Sequence, residues 1–62
     1  MSEKMKAKLY DIVRLKDGKE GTVIEIYNIP GLPKGYDLEL LDKEEIITIT
    51  EDQIEEIIWE MP

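Results

Sequence analysis

The side chains with chemical potential in this sequence are carboxylates, and they come in pairs: Glu44-Glu45, Glu51-Asp52 and Glu55-Glu56. Paired carboxylates serve general acid–base catalysis only when burial or a neighbouring charge moves one pKa toward neutrality. A chain of 62 residues offers little interior in which to bury such a pair, so solvated surface is the expected role for all three. The chain has no histidine and no cysteine, which removes the commonest bases, nucleophiles and soft-metal ligands. Thr22, Thr48 and Thr50 fall where threonine acts as a strand former or a cap, and Ser2 lies close to the start of the chain. Glu51, Asp52, Glu55 and Glu56 supply oxygens of the kind Ca²⁺ takes, but without the D-x-D-x-D-G spacing of a calcium loop. The expectation is a protein without enzymatic activity, cofactor or metal.

The second kind of candidate is a binding surface. Arg14, Lys16 and Lys19 form a short basic run that can face phosphate, with Lys4, Lys6 and Lys8 as an extension. Set against it are ten acids and one lysine within residues 36–62, and a net charge of −7. Nucleic acid is therefore possible but disfavoured as a partner. Tyr10, Tyr27, Ile29, Leu32 and Trp59 are the large apolar side chains that, if they lie outward, make a patch for a protein partner.

The elements that hold these residues follow from periodicity. Residues 9–16 alternate from Asp11 onward, with Val13 and Leu15 on one face and Arg14 and Lys16 on the other. Asp17-Gly18 marks a turn, and Gly21 to Tyr27 is a second strand in which Ile24 and Ile26 share a face. Val23 breaks its alternation, as a bending barrel strand does. Pro30-Gly31 predicts a type II turn inside the loop 28–35. Tyr36, Leu38 and Leu40 alternate with Asp37 and Glu39, and 46–50 is a β-branched run. Thr50 and Gln53 have capping-box spacing. Ile54, Ile57 and Ile58 also fit a helix, but the β-branched run and Trp59 favour one 3₁₀ turn at 51–53 and a fifth strand over 54–59.

These elements predict an all-β fold: a small SH3-like, partly open barrel of about five strands with a one-turn 3₁₀ helix before the last. Residues 1–8 are expected as a flexible N-terminal tail and 9–60 as the single domain. The predicted core is Val13, Leu15, Ile24, Ile26, Leu38, Leu40, Ile47, Ile49 and Ile54. No apolar stretch reaches the roughly 20 residues of a membrane span, and Met1 to Lys6 lack the apolar segment of a signal peptide. No membrane association and a cytoplasmic location are expected; the oligomeric state is open.

Two resemblances accompany this reading. Asp11-Ile12-Val13-Arg14-Leu15, Gly18 and Gly21-Thr22-Val23 resemble the KOW motif, a D-x-V-x-V strand running through a glycine turn into G-x-V. That resemblance implies nucleic-acid or ribosome-associated binding. Over residues 9–58 the chain is similar to a group of small uncharacterised bacterial SH3-like proteins with a leucine-tyrosine-aspartate-valine-valine start. That resemblance implies the fold and no particular activity. Ala7 to Asp11 also look like the start of signalling SH3 domains, but the groove tryptophan after the second strand is missing. A non-catalytic protein–protein interaction module is the favoured function, and a KOW-like nucleic-acid or ribosome-associated domain the alternative.

Overall fold

Alternation with a period of two puts every second side chain on one face of a strand, and residues 36–40 follow it without a fault. The computed structural model describes residues 6–62 and forms five strands: β1 (Ile12–Leu15), β2 (Glu20–Tyr27), β3 (Gly35–Leu40), β4 (Ile46–Thr50) and β5 (Ile54–Trp59). A 3₁₀ turn, Glu51–Gln53, separates β4 from β5. Gln53 Oε1 accepts the Thr50 N–H at 3.0 Å, so the predicted capping box closes this turn.

The strands form one antiparallel sheet in the order β4-β3-β2-β1-β5. Hairpins join the first four in sequence, and the 3₁₀ turn carries the chain back so that β5 lies beside β1. Among the described residues the sheet is not closed, and β4 and β5 are its edges. This is the all-β, SH3-like, partly open arrangement expected from the sequence, including the strand rather than helix over 54–59.

The core comprises Ala7, Val13, Leu15, Val23, Tyr36, Leu38, Ile49 and Ile54, with Leu40 also buried. Ile26 and Ile47 are only half-buried against it, as is Ile57. Two sequence expectations are corrected. Ile24 is not a core residue; Val23 takes that place. Val23 pairs with Leu38 and Glu25 with Asp37, so Ile24 is the extra residue of a β-bulge. A bulge inverts the phase of alternation, which lets Val23 before it and Ile26 after it face the same interior. Ala7 is not tail: it is 3% exposed and packs in the core. Residues 1–5 of the expected tail lie outside the described residues.

The anchoring of Ala7 comes from Asp11, a fully buried carboxylate. Its two oxygens accept different backbone donors, the Lys8 N–H at 2.8 Å and the Met61 N–H at 2.9 Å. The segment before β1 and the segment after β5 are thus tied to one side chain. Tyr10, between Lys8 and β1, adopts φ 72°, a left-handed conformation that a non-glycine residue holds only under local constraint.

Gly21 faces β3 where strands approach closely. A Cβ added there would lie 3.0 Å from the Glu39 carbonyl oxygen and 3.1 Å from Leu38 Cβ. Gly21→Ala is expected to lower stability by about 1–3 kcal/mol through overpacking. A denaturant midpoint equal to that of the parent would show that the β2–β3 spacing is looser than described.

Candidate functional site

The loop between β2 and β3 builds one wall of an apolar surface groove. Pro30 fixes φ and Gly31 takes φ 85°, and the Leu32 N–H donates to the Ile29 carbonyl at 3.1 Å. This is the predicted turn around Pro30-Gly31. It leaves Ile29 and Leu32 on the surface, 54% and 62% exposed. With Tyr27 and Pro33 they line a groove of about 300 Å³ whose other side is Thr48, Thr50 and Gln53.

Tyr27 is held in place at this groove by a hydrogen-bond relay across three strands. Its hydroxyl donates to Asp37 Oδ2 at 2.6 Å, and the Thr48 hydroxyl donates to Asp37 Oδ1 at 2.6 Å. The Thr48 and Tyr27 hydroxyls hold the Asp37 carboxyl below its usual range. The same bond to Asp37, with desolvation and the Asp37 and Glu25 charges, raises the Tyr27 phenol. A ring fixed by a charge-assisted bond loses little further freedom when a ligand packs on it.

The five apolar candidates therefore divide. Tyr27, Ile29 and Leu32 come together. Tyr10 and Trp59 are exposed but do not line the groove. Tyr10 precedes β1, and Trp59 ends β5 opposite Ile12. Pro33, Thr48, Thr50 and Gln53 complete the groove and were not singled out from sequence. The register of β3 with β4 brings in Thr48 and Thr50, and periodicity within one strand carries no signal of that.

Of the basic candidates, Arg14, Lys19 and Lys8 are paired with acids. Arg14 stands between Glu20 of β2 and Glu56 of β5, and its guanidinium is ion-paired with Glu56. Lys19 binds the Asp17 carboxylate at 2.8 Å, which lowers the Asp17 carboxyl and raises the Lys19 ammonium. Lys16 is exposed, lining a shallow depression with Asp17 and Asp52. Lys8 lies 3.4 Å from Asp11 and 3.8 Å from Glu60. Among the described residues, no three or more acids gather where they can hold a metal ion.

Tyr36 Oη and Glu51 Oε2 are buried without a hydrogen-bond partner among the described residues. Burial, then the Glu51 charge, pushes the Tyr36 phenol up. The Lys34 ammonium lies 5.9 Å from the centre of the Tyr36 ring, on which its charge is favourable.

The chain matches no protein-family model, no curated protein and no solved structure. No helix among the described residues is long and apolar enough to cross a membrane. Fold and site together define a small open-sheet β domain with a preformed apolar groove on its β2–β3 loop.

Proposed function

We propose that this protein is a non-catalytic protein–protein interaction module that acts in the cytoplasm and engages its partner through the Tyr27–Ile29–Leu32 groove. The observation that carries this reading is the groove itself: large apolar side chains held outward by a proline–glycine turn, beside a tyrosine locked to Asp37. Exposed aliphatic and aromatic side chains around a fixed ring are the makings of an interface centre, because they bury apolar area at little cost in ordering. The absence of histidine and cysteine also favours binding over catalysis. The KOW-like reading has less support, since Arg14 and Lys19 are each engaged by a carboxylate and Arg14 has an acid on either side.

The test is capture from a cytosolic lysate with the parent and with Leu32→Asp, with and without nuclease and across a salt series. The expected result is a partner that survives nuclease and salt and is weakened at least about tenfold by the aspartate. A partner lost to nuclease, or unaffected by Leu32→Asp and lost on Arg14→Glu, would replace this reading with the nucleic-acid one.

A further inference from the structure

The two edges of the sheet differ. A free edge presents unpaired backbone N–H and C=O groups, and folded proteins guard it with charges, prolines or bulges. β5 is guarded in this way: Glu55 and Glu56 are exposed on it, and its pairing with β1 has two register irregularities. β4 is not. It reads Ile-Ile-Thr-Ile-Thr, without charge or proline, and pairs with β3 without a shift.

The outward groups of β4 can be named. The Leu40 N–H donates to the Glu45 carbonyl and the Glu51 N–H to the Lys34 carbonyl, each at 2.9 Å. Hydrogen-bonded positions alternate along an antiparallel pair, so Ile47 and Ile49 direct their backbone groups at β3. Ile46, Thr48 and Thr50 direct theirs to the open side. Gln53 takes the Thr50 N–H. Among the described residues, Ile46 and Thr48 remain, at the two-residue spacing an incoming strand matches.

The chemistry of the adjoining face is one-sided. β2, β3 and β4 carry Glu20, Glu25, Asp37 and Glu39, and no lysine or arginine. The register sets Glu25 opposite Asp37, Asp37 opposite Thr48, and Glu39 opposite Ile46. Among the described residues, neither Glu25 nor Glu39 has an ion-pair partner.

We infer that the β4 edge takes an extended, arginine- or lysine-bearing peptide segment as an added strand, its basic side chains reaching over Thr48 and Ile46 to Asp37 and Glu39 and its apolar end entering the Ile29–Leu32 groove. This inference rests on the reading of the groove as a protein-binding site. Strands lie about 4.8 Å apart, so the acids of β3 sit about 10 Å from the added backbone, a gap that an arginine and a carboxylate side chain close together. Main-chain pairing supplies affinity, and the acids select basic over acidic segments. A second copy on this edge would bring the acidic faces of two chains of net charge −7 together, and like charges across a strand pair are destabilising.

The experiment uses two synthetic peptides, one alternating arginine with valine and ending in leucine-proline, the other with glutamate for every arginine. Affinity is read by fluorescence anisotropy and location by amide chemical shifts and exchange. The arginine peptide is expected to bind, to shift and protect the Ile46 and Thr48 amides and not those of β5, and to lose at least about tenfold in affinity with Glu25→Lys/Glu39→Lys. Thr48→Pro removes an outward N–H and no backbone bond to β3, together with the hydroxyl bond to Asp37, and is expected to abolish binding. If that variant does not fold, the double lysine variant decides. Equal binding of the glutamate peptide, shifts confined to β5, or a self-association that Thr48→Pro removes and the peptide does not compete would each overturn the inference. Failure of the arginine peptide while Leu32→Asp still weakens lysate capture overturns this inference alone. Lysate capture indifferent to Leu32→Asp overturns the groove reading.

Discussion

Leu38→Ala lowers the unfolding free energy by about 2–5 kcal/mol, the range for emptying a buried leucine site. Leu38 is fully buried, in the interior strand β3, and it pairs with Val23 of β2 on one side and Ile47 of β4 on the other. Neighbours on both sides are held by backbone ladders, so the cavity cannot collapse easily. A domain of this length has a total stability of about 3–9 kcal/mol, and the substitution removes a large share of it. Thermal or denaturant unfolding checks this, with Leu32→Ala as the control. Leu32 is 62% exposed, and its truncation is expected to change stability by no more than about 0.5 kcal/mol. A Leu38→Ala protein with the melting curve of the parent would mean that β3 faces the other way.

Asp11→Asn has the second large effect, about 2–4 kcal/mol of destabilisation at neutral pH. The two substituents are nearly the same size, so the loss is one of polarity. Each carboxylate oxygen of Asp11 accepts one backbone N–H, from Lys8 and from Met61. An asparagine has one acceptor and one amide donor, and whichever way it turns a donor faces a donor. The same bonds set the pH dependence. Burial pushes the Asp11 carboxyl up, but the hydrogen bonds from Lys8 and Met61, joined by the Lys8 ammonium, together hold it below its ordinary 3.8. A folded pKa below the unfolded one means stability that is complete above the unfolded value and is lost as pH falls through the folded one. The parent therefore loses stability below about pH 4, and the asparagine variant, already without this contribution, falls less steeply. Unfolding free energies of both proteins from pH 7 to pH 2 test it, and parallel curves would remove Asp11 from the account.

The strands were legible because each obeys a local rule. Period-two alternation in 36–40, β-branching in 46–50, the glycine turn at 17–18 and the capping pair Thr50 and Gln53 all act within a few residues, and all are found where the sequence puts them. The proline–glycine turn that carries Ile29 and Leu32 is local in the same way. Ile24 and Ala7 were misplaced because their positions depend on distant chain. A bulge is defined against the partner strand, so only the β2–β3 register shows that Ile24 is the extra residue. Ala7 is buried because Asp11 holds Lys8 and Met61 together, a clasp closed over a separation of 50 residues between Met61 and Asp11.

The candidate site divides along the same line. Composition alone excluded histidine- and cysteine-based chemistry and marked the chain as acidic, because these are properties of residue types and not of their arrangement. Arrangement decided the rest. Pairing across strands matched Arg14 with Glu56, locked Tyr27 to Asp37 and Thr48, separated Tyr10 and Trp59 from the groove, and left Ile46 and Thr48 facing outward on an unguarded edge. Sequence periodicity says which face of a strand a side chain occupies, whereas the neighbours on that face are set by register and strand order, which only the folded sheet defines.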